Sequence, residues 1–267
     1  MTDADIDEVL KYRHDPLGYV LAMFPWGVKG TALEKHQGPR QWQADTLREI
    51  GEHLKDPATR HRPLLLARAS GHGIGKSALV GMICEWALST CANTRAVVTA
   101  NTEKQLLTKT MPEIGKWFKL AFNCAWWRPT AMGVFSQDPQ AEKSWRLDAT
   151  SWSENNTEAF AGLHNQGSRI LMVMDEASAI ADKVWEVGEG VLTDEDTEII
   201  WLVFGNPTRN TGRFVSAGAS SAACGAPSRL TPGRWRAPTR RRWIGWWKPT
   251  VRIRTSSRSA SGASSRP

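Results

Sequence analysis

A mainly parallel α/β sheet flanked by helices, with a helical extension before it and a disordered basic tail after it, is the fold this sequence predicts. Three observations carry the prediction. Short apolar runs recur between amphipathic stretches, at residues 63–68, 96–100, 169–174 and 199–204, and strands alternating with helices at such spacing pair in parallel through right-handed crossovers. A glycine cluster, Ser70-Gly71-His72-Gly73-Ile74-Gly75, joins the first run directly to a helix beginning at Lys76. The third run ends in adjacent carboxylates, Asp175 and Glu176.

Taken in chain order, residues 4–14 and 39–56 read as amphipathic helices. The second starts at Pro39 and spaces Trp42, Leu47, Ile50 and Leu54 for one face. The strand at 63–68 contains Leu64-Leu65-Leu66-Ala67, and the helix after the glycine cluster covers 76–88. Residues 96–100 form a second strand leading into a helix that starts near Thr102, and weaker β signals lie at 131–135 and 145–151. The runs 169–174 and 199–204 are strands buried on both faces, so their carboxyl ends should hold the chemistry. The domain division that follows is a helical segment at 1–60, a core at 61–214 and a tail at 215–267.

Composition narrows the function classes. Four scattered cysteines, Cys84, Cys91, Cys124 and Cys224, form no CxxC pair, so neither a zinc knuckle nor a disulfide framework is expected. No apolar run reaches the length of a membrane span, and the acidic amphipathic start is unlike a secretory signal. A soluble cytoplasmic protein is expected. The net charge of +7 is misleading, because residues 209–267 hold thirteen Lys or Arg and no Asp or Glu. Residues 1–208 carry 21 basic against 27 acidic side chains, a net of −6, so the global charge is no argument that the core binds nucleic acid.

The glycine cluster matches the phosphate-loop pattern GxxxxGK[ST], with Ser70 where the first glycine is expected. Gly71, Gly73 and Gly75 permit the positive φ angles that turn backbone N–H groups of the loop, including those of His72 and Ile74, toward phosphate. The helix from Lys76 adds its dipole, and Lys76 adds a mobile cation. Ser77 offers a hydroxyl to Mg²⁺. ATP and Mg²⁺ are thus the expected cofactors. Asp175 is placed to hold Mg²⁺ through its water shell and Glu176 to orient and deprotonate water; the simpler alternative is an N-cap for a following helix. Gln43 either reads the adenine edge or faces solvent. Asn206, in Gly205-Asn206-Pro207-Thr208, either meets the γ-phosphate or the attacking water, or is a turn residue before proline. Arg68 either braces phosphate, reaches a neighbouring subunit or lies in solvent.

Together these motifs resemble the large terminase subunit of tailed bacteriophages, the ATPase that drives DNA into empty capsids. The resemblance rests on residues 70–77, Ala161-Gly162-Leu163-His164, Asp175-Glu176-Ala177-Ser178, Gly205-Asn206-Pro207-Thr208 and Trp42-Gln43, and covers about residues 15–214. It implies a P-loop NTPase fold, catalytic roles for Lys76, Glu176 and Asn206, and metal binding by Ser77 and Asp175. It also implies double-stranded DNA, a portal protein and a small terminase subunit as partners, a homo-oligomeric ring, and the bacterial host's cytoplasm as location. Some relatives carry a catalytic arginine in the loop where this chain has His72. A helicase-like nucleic-acid-dependent ATPase shares the same site and is the alternative.

Such subunits continue into a nuclease with clustered carboxylates. Residues 215–267 contain no Asp, Glu, His, Tyr, Phe, Asn, Gln or Met, and without carboxylates no two-metal site forms there. Two readings fit this stretch: an out-of-frame translation, or a basic tail gripping DNA with Arg240, Arg241 and Arg242 while Trp243, Trp246 and Trp247 stack. With five Ile, Leu or Val among its 53 residues, it is expected to be disordered, a truncated end without nuclease activity.

Overall fold

The computed structural model describes residues 3–69, 73–100, 102–151, 163, 165–176 and 194–205. The tail at 215–267 lies outside them. Helix α1 (Asp3–Leu10) ends short of the helix expected over residues 4–14, and a second helix that the sequence reading does not predict, α2 (Pro16–Met23), follows it. The break has a local cause. Asp15 caps α2, its carboxylate accepting the Gly18 N–H at 3.3 Å, and Pro16 pre-sets the first helical φ. Helix α3 (Gln41–Lys55) follows and buries Leu47, Ile50 and Leu54 completely.

Strand β1 (Leu64–Ala69) leads through the phosphate loop into α4 (Lys76–Thr90). Thirteen of the fifteen α4 residues are buried, so this helix is a central pillar rather than a surface one. Strand β2 (Arg95–Ala100) then enters a long helical segment made of α5 (Glu103–Gln105), a π-helical turn (Leu106–Thr110) and α6 (Met111–Leu120). Thr102 caps it, its hydroxyl accepting the Gln105 N–H at 3.2 Å. Pro112 accounts for the π turn. It has no N–H for the Thr108 carbonyl and its ring crowds that oxygen, and the widened backbone lets the Met111 N–H reach the Leu106 carbonyl five residues back.

The remaining strands are β3 (Trp127–Pro129), β4 (Gly133–Ser136), β5 (Arg146–Ala149), β6 (Arg169–Asp175) and β7 (Glu198–Gly205). They form one seven-stranded sheet in the order β1-β7-β6-β2-β5-β4-β3. The pairs from β1 to β5 are parallel, and β5-β4 and β4-β3 are antiparallel. Every residue of β6 and β7 is buried, which is why both read as unbroken apolar runs rather than alternating ones. The parallel strands end together: Ala100 lies beside Asp175 and Ala69 beside Gly205. Four loops with candidate chemistry therefore leave one edge of the sheet.

A polar cluster sits inside this core. Glu85 of α4 is fully buried and accepts a hydrogen bond from Ser89 Oγ at 2.8 Å. Ser89 Oγ in turn accepts from Asn123 Nδ2 at 2.7 Å and Trp127 Nε1 at 3.0 Å. Burial raises the Glu85 carboxyl from 4.5 to about 7, against the hydrogen bonds of Tyr19, Ser89 and Asn123, which pull it down. Since the folded value exceeds the unfolded one, the contribution of Glu85 to stability is full below pH 4.5 and is lost as pH rises through about 7. Glu85→Gln should remove that decline. Its Tm relative to wild type rises between pH 5 and pH 8 in paired thermal scans, and a difference independent of pH would contradict the assignment.

Candidate functional site

The described part of the phosphate loop has the predicted backbone. Gly73 and Gly75 have φ of +75° and +91°, in the region that only glycine enters freely. Gly75 is the N-cap of α4, so the Lys76 and Ser77 backbone opens the helix where its free N–H groups and positive dipole end lie. Lys76 is 7 % exposed and Ser77 is half-buried. Gly71 and His72 lie outside the described residues.

The start of α3 grips this loop. Gln43 Nε2 donates to the Gly75 carbonyl at 2.8 Å, Arg40 Nη1 to the Ile74 carbonyl at 3.1 Å, and Trp42 Nε1 to the same oxygen at 3.3 Å. Gln43 is buried, and its Oε1 accepts the Arg40 backbone N–H at 2.8 Å. The solvent-facing alternative for Gln43 is corrected accordingly: both ends of its amide are engaged, one on its own helix start and one on the loop. Arg68 also turns elsewhere than expected. Its Nε donates to Thr46 Oγ1 at 3.1 Å and its guanidinium pairs with Glu49, so its partners here are both on α3.

At the end of β6, Asp175 is buried and Thr110 Oγ1 donates to its Oδ2 at 2.8 Å. Burial raises the Asp175 carboxyl above its usual value. The Thr110 hydrogen bond opposes this, the neighbouring Glu176 charge adds to it, and Lys76 and the Glu176 backbone N–H oppose it. Glu176 itself has φ of +56°, a left-handed conformation rare outside glycine, and strain of this kind concentrates at functional sites. That turn brings Glu176 Oε1 to 3.6 Å from Lys76 Nζ. Two segments a hundred residues apart thus meet as a lysine and a pair of acids. Asn206 lies outside the described residues, although β7, which delivers it, runs between β1 and β6.

Thr110 is the site residue that sequence reading misses. The available signal is Pro112 inside a helical pattern, which marks a widened turn at the very residues that face Asp175.

No family model matches the sequence. A curated protein described as a probable terminase large subunit, from Enterobacteria phage P7, is 29% identical over 162 residues, covering 55% of this chain and 30% of that protein. The resemblance is to the phage large terminase. Its fold is shared as well: the HK97 bacteriophage large terminase superposes with a TM-score of 0.53 at 13% identity, over 79% of this chain and 41% of that one. The Thermus phage P74-26 large terminase ATPase domain overlaps less closely, with a TM-score of 0.41 at 15% identity over 66% of this chain and 69% of that one, too low to bear on the fold. The chain spans under half the length of the P7 and HK97 large terminases it matches. Among the described residues no helix is long and apolar enough to cross a membrane.

Proposed function

We propose that this chain is the ATP-hydrolysing motor core of a phage terminase large subunit, powering the movement of double-stranded DNA into procapsids. The observation that carries the reading is the convergence of Lys76, Asp175 and Glu176 on one edge of the sheet, with Lys76 and Glu176 3.6 Å apart, in a chain similar to a large terminase. In this reading the loop from Gly71 through His72, Gly73, Ile74 and Gly75 cradles phosphates with its backbone, and Lys76 neutralises them. The Lys76–Glu176 pair is the resting arrangement. A triphosphate takes Glu176's place on Lys76, and the released carboxylate then orients and deprotonates the attacking water. Asn206, the next residue in sequence after β7, reports on the γ-phosphate in this reading.

The residues present fit Mg²⁺ carried in with the nucleotide. Among the described residues no group of three His, Cys, Asp or Glu is close enough to hold a metal alone. Ser77 and Asp175 offer one hydroxyl and one carboxylate, the sparse donor set typical of Mg²⁺ that keeps waters and phosphate oxygens as its other ligands. When bound, Mg²⁺ neutralises charge building on the β- and γ-phosphates.

By the same resemblance, a portal protein, a small terminase subunit and further copies of this chain in a ring are the proposed partners, and the host cytoplasm the proposed location. The reading assigns no nuclease chemistry to residues 215–267, which carry no Asp or Glu. The test is steady-state ATP hydrolysis by the purified chain with and without linear duplex DNA. Stimulation by duplex with no strand separation is the expected result. Unwinding of the duplex would support a helicase instead, and salt-sensitive DNA binding without any turnover would reduce the chain to a basic-tailed nucleic-acid binder.

A further inference from the structure

The π turn ahead of α6, for which Pro112 accounts, lies against the candidate metal carboxylate. Leu106 and Thr110 are both fully buried, and Met111 is 2% exposed, so the widened turn places two consecutive residues, 110 and 111, on its inward face. Met111 enters the hydrophobic core, while Thr110 spends its hydroxyl on Asp175 Oδ2 at 2.8 Å. Asp175 is 3% exposed, so water is poorly placed to hold that oxygen in the hydroxyl's stead. A buried carboxylate whose second oxygen must meet a metal's water shell needs its rotation fixed by a neighbour.

We propose that Thr110 is a positioning residue for Mg²⁺, fixing the orientation of the Asp175 carboxylate from the helical segment that follows β2. The role rests on the ATPase reading above. It also gives the π turn a function: the inward register it creates is what sets a hydroxyl, rather than a second core side chain, on the carboxylate. Widened helical turns recur at functional sites for this kind of reason. Because β2 and β6 are hydrogen-bonded neighbours whose ends coincide at Ala100 and Asp175, a shift of the 103–120 segment would be felt first at this carboxylate.

The test uses the full chain and a fluorescent ADP analogue, titrated in EDTA and then with increasing Mg²⁺. Thr110→Val keeps the branched shape and removes the donor. It should weaken apparent Mg²⁺ affinity by about 10- to 100-fold, the usual effect of losing an outer partner of a metal ligand, while nucleotide affinity in EDTA stays at the wild-type value. Thr110→Ser restores the donor and should recover the wild-type Mg²⁺ affinity. Unchanged Mg²⁺ affinity in Thr110→Val, an equal loss with and without metal, or a serine variant as weak as the valine one would each overturn the proposal. Wild-type chain that binds the analogue with no gain from Mg²⁺ would instead sink the ATPase reading itself.

Discussion

Lys76→Ala is expected to lose ATP affinity by about 30-fold or more, whereas Glu176→Gln binds ATP at least as tightly as wild type and fails to turn it over. The asymmetry follows from the resting ion pair. Lys76 is 7 % exposed and lies 3.6 Å from the more open Glu176, and removing the cation from a desolvated lysine–phosphate contact costs about 2 to 5 kcal/mol. In Lys76→Ala the triphosphate loses its cation and meets two carboxylates instead. In Glu176→Gln the lysine is released from a competing anion, so binding survives. What is lost is the general base, whose contribution is about 10²- to 10⁴-fold in rate. Equilibrium binding and single-turnover hydrolysis separate the two effects, and an equal loss of binding in both variants would contradict the division of labour.

The largest effect on stability is expected at the opposite edge of the sheet. Arg169, at the start of β6, is fully buried beneath Trp86, its guanidinium 4.3 Å from the ring centroid. It donates to Glu198 Oε2 at 2.8 and 2.6 Å, to Thr90 Oγ1 at 2.9 Å, and to the carbonyls of Ala87 and Arg13 at 3.2 and 2.9 Å. It thereby joins β6, β7, α4 and the N-terminal helices. Arg169→Met should cost about 3 to 5 kcal/mol in urea unfolding, because it removes the buried cation from Glu198 Oε2 and the donors to Thr90 Oγ1 and the Arg13 carbonyl. A loss below about 1 kcal/mol would show the network to be dispensable. The same network sets the acid limit. Burial pushes Glu198 upward, but Arg169, His14 and Arg13 outweigh it and hold the carboxyl at about 2. Since that is below the unfolded value of 4.5, the stabilisation is complete above pH 4.5 and is lost as pH falls toward 2. His14, lowered by burial against the pull of Glu198, adds a loss that begins below pH 6.5.

The sequence made the sheet and the centre of the site legible because both depend on local chemistry. Apolar runs of five to eight residues at the spacing of 169–174 and 199–204 fit strands buried on two faces, and the glycine cluster before Lys76 fits a loop entering a helix. The antiparallel end was harder. Strand β3 is three residues long, Trp127–Pro129, too short for any periodicity, and it exists because β4 offers it an edge. Gln43 and Arg68 were found as site residues, but what they bind was not legible. Their partners, Gly75 in one case and Thr46 and Glu49 in the other, are set by where α3 lies against the loop and β1. Thr110 was invisible for the same reason, since a threonine 65 residues from Asp175 has no sequence pattern until a proline-induced turn aims it.

The most direct measurement of the central claim is equilibrium binding of ATP to the full chain in the presence of Mg²⁺. Saturable binding of one nucleotide per chain is expected, displaced by ADP and weakened about 30-fold or more by Lys76→Ala. Absence of saturable binding by wild-type protein that unfolds cooperatively, or binding that survives Lys76→Ala unchanged, would contradict it.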